Sequence, residues 1–196
     1  FRDAKECERV RKIKKEDLTK HHNPDFKIKV IEDPNQFYLE FALDLVNRIK
    51  KSAEMNEKLV LILPVGPVPQ YEIAARLINE FNLSMKNVHT FNMDEYADEN
   101  GNTAPIDWPG SFQKAMWENF FNRIEPELRP QTKNIHFPTK EVLPDYGKMI
   151  EDLGGADCCY GGVGWCGHIA FWEAHLGFEF GDDLETYKKQ GPRCVE

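Results

Sequence analysis

Apolar positions return along this chain in two alternating rhythms, and the alternation predicts an α/β protein. From Pro34 to about Ser52, Phe37, Phe41, Leu45 and Ile49 recur every four residues, as one buried helix face requires. Leu59–Leu63 is then a continuous apolar run, the pattern of a strand covered on both faces. A turn over Pro64–Pro69 leads into a helical stretch ending near Phe81, with Ile73, Leu77 and Ile78 on its inner side. Val88–Met93 reads as the next strand. The polar loop Asp94–Pro109 follows, then a helix near Gly110–Arg123 marked by Phe112, Met116, Phe120 and Ile124. A short strand over Asn134–Phe137, a helix over Leu143–Leu153 and a strand over Ala156–Tyr160 continue the alternation. Upstream of all of these, Phe26–Ile31 alternates as a further strand.

Strands separated by helices of this length imply right-handed βαβ units and a mainly parallel sheet. Such sheets bind ligands at the carboxyl ends of their strands. The loops after Leu63, Met93 and Tyr160 all leave those ends, so they can converge on one crevice. Residues 1–25 alternate Lys, Arg and Glu with few large apolar positions and read as an accessory N-terminal segment. Residues 26–196 read as a single α/β domain. After Glu173 the chain runs only to Glu196 and is broken by Gly177, Gly181 and Gly191. That leaves little to cover the far edge of the sheet, and an expectation that the domain is incomplete at its C-terminus.

Composition narrows the function classes. Of 196 residues, 41% are hydrophobic and 30% charged, as in a soluble globular domain. The net charge of −8 argues against a nucleic-acid backbone or an anionic membrane as the main partner. It leaves room for a small anionic substrate held by a local basic group. No apolar run approaches the roughly 18 residues that span a bilayer, and Phe1–Lys20 is too charged for a signal peptide. The cysteines, Cys7, Cys158, Cys159, Cys166 and Cys194, are odd in number and irregular in spacing, which gives no disulfide framework and no metal pair. A reducing cytoplasm is the expected setting.

The chemistry concentrates in two stretches. Gly161-Gly162-Val163-Gly164 and Gly167 surround a turn that presents His168, with Glu173 five residues further on. Glycines let the backbone turn sharply and approach a ligand closely, and an imidazole placed there suits proton transfer near neutral pH. The second stretch is Phe91-Asn92-Met93-Asp94-Glu95-Tyr96 at the end of a strand. A carboxylate at the apolar end of a strand has its charge disfavoured, which moves its pKa toward the working range of a base.

Asn92-Met93-Asp94-Glu95-Tyr96, the run Met116–Phe121, and the glycine stretch with Gly167-His168-Ile169-Ala170-Phe171 and Glu173 resemble the glucosamine-6-phosphate deaminase (isomerase) family in order and spacing. The resemblance covers roughly Phe26–Glu173 and implies a Rossmann-like three-layer fold. It implies aldose–ketose isomerisation of an amino sugar with loss of ammonia, without a metal or other cofactor. On that resemblance Asp94 matches the base that shuttles a proton between C2 and C1 of the open-chain sugar. His168 matches the ring-opening histidine and Glu173 its carboxylate partner. Val65, Gly66, Glu95, Gly162, Gly164, Cys166 and Gly167 complete the expected substrate-binding set, with Glu95 the weaker catalytic candidate and more readily a structural or hydrogen-bonding residue. His175 offers a His–Glu–His metal set with His168 and Glu173, but no further ligand spacing supports it. A homo-oligomer is compatible with this reading.

Two departures from the family pattern stand out. The acidic residue that the family places before the Gly-His pair is Cys166 here, with Trp165 before it. The loop after the second family strand, usually rich in glycine and hydroxyls for a sugar phosphate, reads Leu63-Pro64-Val65-Gly66-Pro67-Val68-Pro69. Val65 and Val68 stand where hydroxyl donors would, and Pro67 has no N–H to point at an anion. Trp108, Trp165 and Trp172 are either a sugar-stacking wall or aromatic core. Two other readings stay open: a sugar-lactone hydrolase of the related 6-phosphogluconolactonase group, and a sugar-binding or regulatory protein that has lost turnover.

Overall fold

A computed structural model describes residues 3–164, 167–181 and 183–195. Contacts divide the chain into two compact units, Phe1–Phe37 and Tyr38–Glu196. In the first, helix α1 (Ala4–Val10) is capped by Asp3, which accepts from the Glu6 N–H, and buries none of its residues. Phe26–Ile31, expected as a strand, forms no ladder: Phe26 and Val30 are 58% and 51% exposed. Alternation is a local signal, and a strand needs a neighbouring strand to satisfy its backbone.

The second unit is built on a four-stranded parallel sheet. Helix α2 (Pro34–Met55) begins at the end of the first unit and leads to β1 (Leu59–Leu63), α3 (Pro69–Glu80), β2 (Val88–Asn92) and α4 (Phe112–Asn119). Then come β3 (Ile135–His136), α5 (Tyr146–Asp152), β4 (Cys158–Cys159), α6 (Gly177–Phe180) and α7 (Leu184–Lys188). The strand order is β3-β2-β1-β4, with Leu61 paired to Thr90 on one side and to Cys158 on the other. Leu59, Leu61 and Leu63 face a core filled by α2, α3 and the Met116–Ile124 region. Val60 and Ile62, on the opposite face, pack with Phe91, Tyr146, Met149 and Ile150. Helices therefore cover both faces, giving the parallel sheet that the sequence pattern implied and the three layers that the family resemblance implied.

Several details depart from the expected elements for physical reasons. The buried stripe of α2 is Ala42, Leu45, Val46, Ile49 and Ser52, while Phe37 is exposed. Residues four apart overshoot a helical turn by about 40° each time, so a four-residue repeat followed back from Ile49 rotates out of the core. The helix expected to reach Arg123 stops at Asn119, and a tight 3-10 turn follows over Phe121–Arg123. Phe120 and Phe121 are both fully buried. In a continuous helix these neighbours would point about 100° apart; the break lets both enter the core. β4 is short, yet its ladder extends at both ends. The Asp157 N–H donates to the Val60 carbonyl (2.9 Å), the Tyr160 N–H to that of Ile62 (3.0 Å), and the Val60 N–H to the Asp157 carboxylate (2.8 Å). α6 and α7 follow a stretch for which the sequence pattern gave no element.

The strand order places a topological switch point between β1 and β4. β2 and β3 extend the sheet from one side of β1, and the chain then returns to add β4 on the other. Crevices of this kind form outside the carboxyl ends of the two strands. The two exits are the Pro64–Pro69 loop and the glycine stretch.

Candidate active site

A cavity of about 340 Å³ opens at that switch point. Its walls bring together Pro64–Pro67 from the β1 exit, Met93 and Asp94 from the β2 exit, and Gly162–Gly164 with His168, Ala170 and Phe171 from the β4 exit. A larger cavity of about 880 Å³ adjoins it and shares Met93, Asp94, Ala170 and Phe171 as lining. Asp94 thus stands on the partition between two spaces, with His168 on the wall of the smaller one and Glu173 on that of the larger.

The β2 exit holds two adjacent carboxylates in opposite circumstances. Asp94 lies two residues after the last strand residue, Asn92, whose side chain is fully buried. The Asp94 Oδ1 is buried with no hydrogen-bond partner among the described residues. Burial, reinforced by the neighbouring Glu95 charge, pushes the Asp94 carboxyl up to about 6, while His168 pulls in the other direction. Glu95, by contrast, is fully engaged. It accepts from the N–H groups of Phe112 (2.9 Å) and Gln113 (2.8 Å), from Ser111 Oγ (3.1 Å) and from the Tyr96 N–H (2.9 Å). The first turn of α4 has donors without intrahelical partners, and a carboxylate there complements the helix dipole. The expectation of Glu95 as a substrate contact meets a side chain that anchors α4 instead, although the residue lines the larger cavity.

Two buried tyrosines brace the strand ends beside Asp94. Tyr71 donates its hydroxyl to the Pro64 carbonyl at the exit of β1. The Tyr146 hydroxyl, on the other side of the sheet, reaches the carbonyls of Asn92 (2.9 Å) and His136 (3.0 Å). Burial raises both phenols well above the ordinary range, and the Asp94 charge adds to it. Both therefore stay neutral donors.

The β4 exit is shaped by backbone geometry. The Gly164 N–H donates to the His168 carbonyl (2.8 Å) and the Gly167 N–H to the Gly164 carbonyl (2.9 Å), closing a tight loop. Gly167 has φ +87°, a conformation that side-chain-bearing residues rarely adopt. At Gly164 the constraint is contact: an added Cβ would lie 2.3 Å from His168 Nε2 and 2.5 Å from Cε1. Only a glycine lets the imidazole lie against the loop. His168 Nδ1 is 3.2 Å from Glu173 Oε1, the carboxylate–histidine contact that the sequence suggested. His175 Nδ1 lies 3.8 Å from the other Glu173 oxygen. Among the described residues no group of His, Cys, Asp and Glu is arranged to hold a metal ion. Between His168 and Glu173 the chain makes a two-residue turn with Ala170 at φ 54° and Phe171 at φ 58°, closed by the Trp172 N–H on the Ile169 carbonyl (2.9 Å). Two consecutive non-glycine residues in the left-handed region are strained. The turn swings Phe171 onto the partition between the cavities.

Most of the expected site residues meet here. Asp94, His168, Val65, Gly66, Gly162 and Gly164 line the smaller cavity, and Glu173 reaches it through His168. Val65 also packs on the main core. Gly167 shapes the loop without lining either cavity. Cys166 and Trp165 lie outside the described residues. The tryptophans divide: Trp172 lines the larger cavity, whereas Trp108 packs on Tyr96 and over Gly110. The aromatic residues that the sequence reading missed are Tyr96, Phe112 and Phe171. Phe171 stacks on Phe112 (centroids 6.2 Å) and lies 5.3 Å from the His168 ring. The sequence pattern makes Phe112 a helix-face position and Tyr96 and Phe171 parts of the family-like stretches, and their place beside the cavities shows only once the loops are seen to converge.

Comparison with known proteins agrees with the fold. No family model matches the chain. A glucosamine-6-phosphate deaminase from Phocaeicola vulgatus is 36% identical over 152 residues, covering 74% of this chain and 55% of its own length. One from Caenorhabditis elegans is 35% identical over 153 residues, covering 74% and 54%. The chain thus spans about half the length of the curated relatives it matches. Among solved structures, a monomeric glucosamine-6-phosphate deaminase superposes with a TM-score of 0.63 at 26% identity, covering 74% of this chain and 58% of its own. A 6-phosphogluconolactonase from Thermotoga maritima superposes with a TM-score of 0.57 at 22% identity, covering 80% and 66%, a likeness of fold.

Proposed function

On the strength of this chain's kinship with the glucosamine-6-phosphate deaminases over three-quarters of its length, we propose that it serves aldose–ketose isomerisation of an amino sugar with release of ammonia. The observation that carries the reading is the shared cavity: Asp94, raised by burial to about 6, faces the same space as His168. In this reading His168, held by Glu173, moves a proton between the anomeric hydroxyl and the ring oxygen and opens the sugar. Asp94, as carboxylate, then takes the proton from C2 and returns it at C1. A base titrating near the working pH is ionised often enough to abstract and basic enough to do so.

The substrate reading is finer. Val65 and Val68 offer no hydroxyl to an anion at the β1 exit, and each charge-assisted hydrogen bond to a phosphate contributes roughly 1.5–3 kcal/mol. A sugar gripped weakly at its phosphate, or carrying none, fits this loop better than a tightly held phosphosugar. Cys7, Cys158, Cys159 and Cys194 as free thiols favour a cytoplasmic setting. Among the described residues no helix is long and apolar enough to cross a membrane. The deaminase names of the relatives, at higher identity than the lactonase folds, favour deamination over lactone hydrolysis. The test is a parallel assay of ammonia release from phosphorylated and free amino sugars and of lactone hydrolysis. Ammonia release is expected; lactone hydrolysis in its place contradicts the reading.

A further inference from the structure

The core near the β2 exit contains polar side chains that the proposed chemistry does not use. Thr90 and Asn92 lie on one face of β2, and Asp94 comes two residues after the strand ends at Asn92. The register pairs Thr90 with Leu61 and Asn92 with Leu63, which turns this face toward the core shared with α3. Gln70, in the first turn of α3, is buried as well. Gln70, Thr90 and Asn92 all have 0% exposure. Thr90 Oγ1 and both side-chain polar atoms of Gln70 and Asn92 lack a hydrogen-bond partner among the described residues, as does Asp94 Oδ1.

So many orphaned polar atoms in one core are not ordinary. Polar groups inside proteins are hydrogen-bonded, to protein or to interior water, in the great majority of cases. Two amides and a hydroxyl can supply the two to four partners that a buried water needs. An apolar residue of similar shape at any of the three positions would remove the desolvation cost. Polar residues at all three point to a use.

We propose that Gln70, Thr90 and Asn92 form an interior water site behind Asp94 and act as positioning residues for its carboxyl. Water held there hydrogen-bonds Asp94 Oδ1 from the side away from substrate, fixing the carboxylate's orientation and favouring its charged form. The charged groups acting on Asp94 are Glu95 from its own segment and His168 from the β4 exit; the Asp94 charge in turn acts on the neutral phenols of Tyr71 from α3 and Tyr146 from α5. The water site opposes the burial that raises the carboxyl and keeps the base titratable. Its catalytic consequence rests on the deaminase reading; the hydration does not.

Two measurements on the full chain test this without substrate. In the unsubstituted protein, nuclear Overhauser contacts from long-lived water to the Gln70 and Asn92 side-chain amide protons are expected. In Gln70→Leu and Asn92→Leu, the carbon-13 titration of the Asp94 carboxyl, assigned against Asp94→Asn, should move upward by about one pH unit as hydrogen bonds to the charged form are lost. If ammonia release is confirmed, kcat should fall about tenfold while KM stays within about twofold, the mark of a group acting on the base rather than on binding. Absence of the water contacts together with an unmoved titration overturns the proposal whatever the enzyme assay shows. A loss of stability alone, with the Asp94 midpoint fixed, assigns these residues to the fold and likewise overturns it. Water contacts and a moved midpoint in a chain without deaminase activity uphold the site and count against the deaminase reading alone.

Discussion

The exits of β2 and β4 each deliver one reactive side chain to the same cavity, and they do it by different physics. At the β2 exit the tool is burial. Asp94 sits two residues past the end of a buried strand, its pKa is raised chiefly by desolvation, and its neighbour Glu95 ties α4 to the loop. At the β4 exit the tool is backbone shape. His168 lies where it does because Gly164 has no side chain and Gly167 adopts φ +87°. The acid is therefore sensitive to polarity and charge, and the imidazole to steric change. Each claim can be attacked separately.

The largest expected effect is at the β4 exit. Gly164→Ala puts a methyl group into the His168 ring, and a displacement of about 1 Å at a reacting group can cost about a hundredfold in rate. Ammonia release should fall on that order while the urea midpoint changes little; retained activity would show that the ring does not depend on the glycine.

At the β2 exit the expected effect is one of stability. The Asp94 pKa rises from 3.8 to about 6 on folding. Between those values the native state binds more protons than the unfolded one, so stability falls as pH rises through the window. Above it the charged carboxylate carries the full penalty. Asp94→Asn should consequently stabilise the protein by roughly 3 kcal/mol at pH 7–8 and by nothing near pH 3. Equal melting temperatures of parent and variant at pH 8 would contradict the burial account.

A smaller effect separates the adjacent carboxylates. Glu95→Ala leaves the Phe112 and Gln113 N–H groups and the Ser111 hydroxyl without their acceptor, which should cost about 1–2 kcal/mol, the scale of a lost helix cap. Denaturant unfolding measures it, and an unchanged midpoint would remove Glu95 from its anchoring role. The smallest expected effect concerns the β1 exit. Val65→Thr with Val68→Thr should tighten binding of phosphorylated amino sugars several-fold, within the roughly 0.5–1.5 kcal/mol net contribution of a typical hydrogen bond. Calorimetry that detects no gain would mean the loop does not face the phosphate.

The contrast also explains what could be read from sequence. β1, α3 and β2 were legible because Leu59–Leu63 and Val88–Asn92 are covered by neighbours, so their apolar pattern reports burial directly. The convergence of Asp94, His168 and Glu173 on adjoining cavities was legible because strand ends and glycine turns are local signals. The anchoring of α4 by Glu95 was not, because the partners at Ser111–Gln113 lie across a long loop that only tertiary structure closes. Phe26–Ile31 misled for the opposite reason: it has the local pattern and forms no ladder. The left-handed pair Ala170-Phe171 was invisible because neither residue favours that conformation, and the surrounding structure imposes it. Gln70 was hidden among the helical apolar spacing of α3, where its burial could not be inferred from its type.

The central claim is that a buried Asp94 and His168 work on one small sugar from the walls of a common cavity. Its most direct test is the pH dependence of deuterium incorporation at C2 of an amino-sugar substrate, for the parent protein and for Asp94→Asn. The account predicts exchange that rises with pH through a midpoint near 6 and disappears in the variant. Exchange that persists in Asp94→Asn, or that shows no inflection across that range, would contradict it.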